Sequence, residues 1–170
     1  MGEEWCGENG GMGWTMLDSP IGMFSVATDG GSVCGTRFGP VEGADTEPID
    51  EMSRRAVAEL RAYFAGELID FGVPVTVPRG SEFERAVWRE MTRIPYGETL
   101  TYGEVARRVG DPGAARAVGV ACNRNPIPVI VPCHRIIGAN GKLVGFGGGL
   151  PRKIQLLELE AAVALQRAWS

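Results

Sequence analysis

Cys133 and His134 are the residues of this chain whose types and spacing invite chemistry. Pro132-Cys133-His134-Arg135 places one of four cysteines directly before the chain's single histidine. The thiolate is the nucleophilic form of cysteine, and its fraction rises when a base or a cation stands nearby. His134 is the only imidazole, so any histidine that activates Cys133 is this one. A buried carboxylate would then orient the ring and stabilise its charged form. Two considerations oppose this reading. Cysteine is among the most buried residue types and mostly behaves as a small inert hydrophobe. Neighbouring strand residues also point to opposite faces, so cooperation between Cys133 and His134 requires a nonregular turn or a bridging water. On these residues alone, nucleophile and inert core residue both stay open. A single histidine excludes two-histidine metal sites.

The segments around the pair must position it. Ile127 to Val131 is an apolar run pinned by Pro126, Pro128 and Pro132, which would present a cysteine at a fixed place. Upstream, Ser81-x-x-Glu84 is a capping box that opens a helix with Phe83, Ala86, Val87, Met91 and Ile94 on one face. Thr101-x-x-Glu104 repeats the device and starts a short helix through Val109, which Gly110 ends. Asp111 is expected to cap a second helix over 112–122, with Pro112 in its first position. That helix is built from Ala114, Ala115, Ala117, Val118, Gly119 and Ala121 and carries Arg116, with Arg124 just past its end. Helix, short turn and helix is helix-turn-helix grammar. A further helix begins near Leu150.

The first half reads differently. Residues 7–13 are glycine-rich and read as the end of a flexible leader. Trp14–Leu17, Met23–Ala27 and Val33–Phe38 are strand-like runs separated by turn signals, predicting an antiparallel meander. Ile49, Met52, Ala56, Leu60 and Tyr63 follow a helical period that stops at Gly66. Val73–Pro78 suits an edge strand or linker, because its prolines cannot donate to a central ladder. Pro78-Arg79-Gly80 is the best boundary. The expected organisation is a leader over 1–13, an N-terminal α/β domain over 14–78 and a C-terminal domain over 79–170.

Charge follows the same division. The whole chain of 170 residues carries −4, which by itself points away from nucleic acid. Residues 1–80 hold 5 basic and 13 acidic side chains, whereas residues 81–170 hold 12 basic and 8 acidic. The second half is therefore suited to a polyanion, and the first is not. Cys6, Cys34, Cys122 and Cys133 form no C-x-x-C pair, and the acidic start Met1-Gly2-Glu3-Glu4 has no secretory pattern. No apolar run is long enough to span a bilayer. These features predict a reduced, soluble protein of the cytoplasm.

Pro132-Cys133-His134-Arg135, preceded by Asn125-Pro126-Ile127-Pro128, resembles the signature of the O6-methylguanine–DNA methyltransferases (methylated-DNA–protein-cysteine methyltransferases). The resemblance extends through Ile94-Pro95-Tyr96-Gly97-Glu98-Thr99, Thr101-Tyr102-Gly103-Glu104 and Ala114-Ala115-Arg116-Ala117-Val118-Gly119. Downstream it takes in Gly147-Gly148-Gly149-Leu150, Lys153 and Leu156-Leu157, so it covers about residues 81–160. In the first half only Asp18-Ser19-Pro20-Ile21-Gly22 and Tyr63-Phe64-Ala65-Gly66 are similar to the family. The implied fold class is α+β, with a ribonuclease H-like α/β N-terminal domain and a C-terminal winged helix-turn-helix domain that binds DNA and performs catalysis.

The resemblance also implies roles. Cys133 would accept the alkyl group from O6-alkylguanine, and also from O4-alkylthymine, giving a stable thioether in one irreversible turnover with no cofactor and no metal. His134 would deprotonate Cys133 through a water and Glu160 would orient His134; Glu158 is the neighbouring candidate for a merely solvated position. A base inside a duplex cannot present O6 to a thiol, so the nucleotide must leave the stack. Arg116 would fill the vacated space, Tyr102 would help rotate the nucleotide and bond the base, and Asn125 would brace the turn. On residue type alone Arg116 reads as a solvated arginine and Tyr102 as a helix-cap or core aromatic. Ala114, Ala117 and Gly119 would suit entry into the minor groove, with Arg107, Arg108, Arg124 and Lys142 against phosphates. Pro128, Ile136, Val144, Phe146 and Gly147 would line the base pocket. There the carbonyls of Cys133 and Ile136 would read the guanine amino group, and the Gly147 N–H would meet O6. Phe146 stands where the family usually has tyrosine, which removes a phenolic hydrogen bond. The implied partner is double-stranded DNA carrying O6-alkylguanine, not a membrane, met by a monomer. A non-catalytic relative would replace the acceptor cysteine, a Cys-His hydrolase would separate the two residues, and a transcription factor would carry base-reading side chains on its second helix.

Overall fold

The computed structural model describes residues 12–170. The chain divides into two compact units, one ending at Arg79 and the other beginning at Gly80. Most of the leader expected over 1–13 lies outside the described residues. Gly13, its last residue, already belongs to a strand, because it pairs with Thr28.

In the first unit, β1 (Gly13–Leu17), β2 (Phe24–Thr28) and β3 (Val33–Phe38) form the antiparallel meander in that order. All five residues of β2 are buried, as a central strand requires. The 73–78 segment runs parallel along the free edge of β3: Val33 N–H donates to Pro74 O at 2.8 Å and Thr76 N–H to Val33 O at 2.9 Å. Its prolines are tolerated there because an edge leaves their missing donors unused. Helix α1 (Glu51–Phe64) starts at the N-cap Asp50, whose carboxylate accepts from Ser53 N–H at 2.7 Å. Ala56, Leu60 and Tyr63 are buried as its period predicts, but Ile49 precedes the cap and is 61% exposed. One expectation fails in this unit. Cys34 is disulfide-bonded, so the chain is not fully reduced.

In the second unit, α2 (Glu82–Thr92) has the complete capping box: Ser81 Oγ accepts from Glu84 N–H, and Glu84 Oε1 from Ser81 N–H. Trp88 on this helix is buried, and its indole N–H donates to Ala121 O at 2.8 Å, tying α2 to α4 (Ala115–Asn123). Between them lie β4 (Leu100–Thr101) and α3 (Tyr102–Arg108), where Thr101 ends the strand and caps the helix by accepting from Glu104 N–H. Helices α2, α3 and α4 pack on one another. The second helix of the pair starts later than Asp111 and Pro112 suggest. Ala114 N–H donates to Asp111 O at 3.0 Å, closing a turn through Pro112 and Gly113, so α4 begins after Ala114 with no side-chain cap. β5 (Ile136–Ile137) pairs in parallel with β4, and α5 (Leu150–Ala168) closes the unit by packing on the turn at Cys133–Arg135. Among the described residues, no helix is long and apolar enough to cross a membrane.

Candidate active site

Cys133, His134 and Arg135 form a single 3-10 turn, with Pro132 before it and β5 after it. This is the nonregular backbone that neighbouring Cys and His need to serve one site. The approach to the turn is tightly shaped. Val129 has φ +76, a region a β-branched residue rarely adopts, and it is buried. Such strain persists where neighbours over-determine the backbone, and Asn125 is one of those neighbours. Its Nδ2 donates to Val131 O at 2.8 Å while its Oδ1 accepts from Ile127 N–H at 2.9 Å. Val131 N–H also donates to Ile127 O at 2.8 Å, and Cys133 N–H to Val131 O at 2.8 Å. Asn125 thus binds the prolyl segment at both ends.

Behind the turn lies a buried ionic cluster. His134 is 0% exposed, and its Nε2 is 2.7 Å from Oε2 of Glu160, itself 1% exposed. Arg135 clasps the same carboxylate with two donors, Nε to Oε1 at 2.8 Å and Nη2 to Oε2 at 3.0 Å, and sends Nη1 to Ile94 O at 2.8 Å. Gly97 N–H donates to Glu160 Oε1 at 3.2 Å. Gly97 adopts φ +80, and a Cβ there would come within 2.9 Å of Ala164 Cβ, so glycine is required for this approach. Burial opposes the charge on Glu160, but the bonds from His134 and Arg135 outweigh it and hold its pKa well below the usual carboxylate range. Burial holds the His134 pKa below its ordinary value despite Glu160, which favours the neutral ring near pH 7. His134 Nδ1 is buried and has no hydrogen-bond partner among the described residues. With Nε2 committed to Glu160, Nδ1 is the nitrogen left to take a proton.

On the other side of the turn, burial raises the Cys133 thiol pKa, opposed by a hydrogen bond from the Asn125 side chain and by the charge of Lys153. Lys153 is 1% exposed and pairs with no carboxylate among the described residues. Its Nζ donates to Ile136 O at 2.6 Å and Val144 O at 3.4 Å, and lies about 6 Å from the rings of Tyr102 and Phe146. Burial pushes the Tyr102 phenol up to about 12, with smaller contributions from Cys122 and Cys133, so it remains a protonated donor; its O–H points to Val144 O at 3.5 Å.

The expected residues thus fall into two groups. Cys133, His134, Glu160 and Asn125 share the turn and its support. Tyr102, Ile136, Val144 and Phe146 meet around Lys153. The Ile136 side chain is wholly buried, so only its backbone can serve a pocket, and its carbonyl already accepts from Lys153. The Cys133 carbonyl likewise accepts from Ile136 N–H. Val144 is 36% exposed, Gly147 is exposed and Pro128 is half-buried. Arg116 and Ala117 are exposed on α4, with Ala114 and Gly119 half-buried. Arg107, Arg108 and Lys142 are exposed as well. Arg124 is exposed but paired with Glu84 at 3.2 Å. Glu158 faces solvent.

Sequence reading gave no role to Arg135, Lys153 or Gly97. A signal for Lys153 was present. Lys153, Leu156, Glu160 and Val163 follow the i, i+3, i+7, i+10 spacing of the buried stripe of α5. Charged residues on such a stripe are rarely buried unless partnered. Among the described residues, no group of three or more His, Cys, Asp or Glu could hold a metal.

Two family models match this chain. The DNA-binding domain of 6-O-methylguanine DNA methyltransferase covers residues 82–162, and its ribonuclease-like domain covers residues 12–77. A methylated-DNA–protein-cysteine methyltransferase of Mycobacterium leprae is 49% identical over 156 residues, spanning 85% of this chain and 89% of its own length. One of Methanosarcina acetivorans is 47% identical, spanning 89% of this chain and 99% of its own length. Among solved structures, a Mycobacterium tuberculosis OGT in complex with DNA is 48% identical with a TM-score of 0.78, over 88% of this chain and 93% of that one. With both domains matched and near-half identity along most of its length, the chain belongs to the 6-O-methylguanine DNA methyltransferase family.

Proposed function

We propose that this protein repairs DNA by direct reversal, transferring the alkyl group of O6-alkylguanine, and of O4-alkylthymine, to Cys133. His134 Nδ1 takes the Cys133 proton through a water. The thiolate sulfur attacks the alkyl carbon in line with the C–O6 bond, which breaks as the thioether forms. The departing guanine anion takes up a proton, for which Tyr102 is the neutral donor. Glu160 holds the imidazole and stabilises it once charged, and Arg135 and Gly97 hold Glu160. Nothing regenerates the thiol, so each molecule acts once and needs no cofactor.

The single observation that carries this reading is the buried His134–Glu160 bond that leaves Nδ1 unspent in the same turn as a buried cysteine. A base reaches so enclosed a thiol only after leaving the duplex. In this reading α4 enters the minor groove, Arg116 occupies the vacated stack, Ala114, Ala117 and Gly119 let the helix approach, and Arg107, Arg108, Arg124 and Lys142 meet phosphates. The flipped base enters between Pro128, Val144, Phe146 and Gly147, with Ile136 offering its backbone, and the protein meets DNA as a monomer in the cytoplasm. The basic balance of residues 81–170 and the DNA complex of the M. tuberculosis relative support DNA as the partner.

The test is intact mass after incubation with a duplex carrying one O6-methylguanine. The expected result is one methyl in place of hydrogen, on Cys133, with a yield that stops at one per protein. Continued turnover, or no transfer, overturns the reading.

A further inference from the structure

Cys122 is a second free thiol, in the last turn of α4, and the alkyl-transfer chemistry has no use for it. It is 9% exposed. Asn125 brings it and Cys133 to the same bracket. Asn125 N–H donates to Cys122 O at 3.3 Å, and Asn125 Nδ2 donates to Val131 O at 2.8 Å, the carbonyl that also accepts from Cys133 N–H at 2.8 Å. The segment between the cysteines is therefore folded back on itself, one end held by the backbone N–H of Asn125 and the other by its side chain.

The two thiols also share neighbours. Gly119, three residues before Cys122 on α4, faces the Tyr102 ring, which a Cβ there would approach to 3.8 Å. That ring is 6.0 Å from Lys153 Nζ. Each of Tyr102 and Lys153 is influenced by the charge of both sulfurs, and Cys122 by that of Cys133. Lys153, which pairs with no carboxylate among the described residues, lowers the pKa of both thiols against a larger rise from burial.

We infer that Cys122 is a resolving thiol: on reaction with a peroxide it forms a reversible disulfide with Cys133, masking the acceptor until a dithiol or a thiol pool reduces it. The Cys133 thiolate attacks one peroxide oxygen, so that an S–O bond forms, the O–O bond breaks, and the hydroxide released takes up the thiol proton as water. The Cys122 thiol then attacks the sulfenic sulfur. The S–S bond forms, the S–O bond breaks and a second water leaves. Two thiols and one peroxide give one disulfide and two waters. The masking role rests on Cys133 being the acceptor; the disulfide itself does not.

The full chain is treated with hydrogen peroxide, its free thiols are capped with N-ethylmaleimide, and it is digested with trypsin without reduction. Arg116, Arg124 and Arg135 place the two cysteines on separate peptides, 117–124 and 125–135. The expected product is these peptides joined, lighter by two hydrogens. Methyl transfer falls roughly tenfold or more and returns with dithiothreitol. In Cys122→Ser and Cys122→Ala the joined peptide disappears, and peroxide leaves Cys133 with two or three oxygens and an activity that dithiothreitol does not restore. Wild-type protein with both cysteines capped, or with oxygens on Cys133 and no joined peptide, overturns the inference. So does equal recovery of Cys122→Ser. The peptide map needs no alkylated DNA, so its failure is distinct from failure of the acceptor assignment, which is read as a missing methyl on peptide 125–135.

Discussion

The second unit keeps its charges in two different settings. Around Cys133, Glu160, Arg135, His134 and Lys153 are all buried, each with a defined donor or acceptor. Along α4 and the end of α3, Arg116, Arg107 and Arg108 are exposed, and Arg124 reaches only the rim carboxylate of Glu84. Charges removed from water must be held by partners in fixed geometry, and removing one partner leaves the other uncompensated. Charges left in water keep their rotamer freedom and act at longer range, screened by salt. The first setting is suited to fixing protonation states, the second to meeting a long polyanion. Each can therefore be broken without the other.

The largest effect is expected at the turn itself. Cys133→Ser should abolish methyl transfer while duplex binding persists, because the exposed arginines are untouched; mass spectrometry and a mobility-shift titration read the two separately. Glu160→Gln should follow, destabilising the protein by about 3–5 kcal/mol in a denaturant titration, since Arg135 loses its buried counter-charge. Arg116→Ala inverts the pattern. Stability should hold, and reaction with free O6-benzylguanine should change little, while repair of duplex slows on the order of tenfold or more, as expected when a few kcal/mol of base extrusion loses its support. Equal losses on both substrates would remove Arg116 from base extrusion.

In the second unit, acid should act on the buried group and leave the exposed arginines unchanged. His134 is held below its ordinary 6.5, and Glu160 below its ordinary 4.5. In both cases the unfolded chain binds protons that the folded chain does not, so stability is full above pH 6.5. It falls as pH drops below 6.5 through the folded pKa of His134, and again below 4.5 as Glu160 approaches its own. Urea midpoints measured across this range should show both declines, and Glu160→Gln should shrink the lower one, leaving the share of Asp29 and Asp50, which hydrogen bonds hold below their ordinary 3.8. The smallest effect belongs to the rim. Arg124→Ala should cost less than about 1 kcal/mol of stability and should lower the salt dependence of duplex binding by roughly one phosphate contact. An unchanged salt slope would place Arg124 off the DNA.

Much of this was legible from local rules. Ser81 and Glu84 cap α2 because capping depends on residues three apart, and the three-strand meander follows from alternation and turn residues. Val73–Pro78 met an edge because proline leaves little else. Local rules misled where a residue's bonding was committed elsewhere. Asp111 closes a turn to Ala114 instead of capping a helix, and Ile49 lies outside the helix whose period it continues.

The site divides the same way. That Cys133 and His134 belong together, that this requires a broken strand, and that Asn125 and the prolines precede them are properties of a short stretch of sequence. Choosing Glu160 over Glu158 was a matter of resemblance, and its geometric ground is a helix that begins at Leu150 and turns Glu160 inward while Glu158 faces water. Arg135 clasping Glu160, Gly97 meeting it across 63 residues, and Lys153 reaching both Ile136 and Val144 appear only in the fold. The sequence by itself determined which groups can do chemistry, because that is a property of side chains. Tertiary structure decided which of them are dry, which share a proton and which face the solvent, because burial and partnership depend on contacts between segments far apart in the chain.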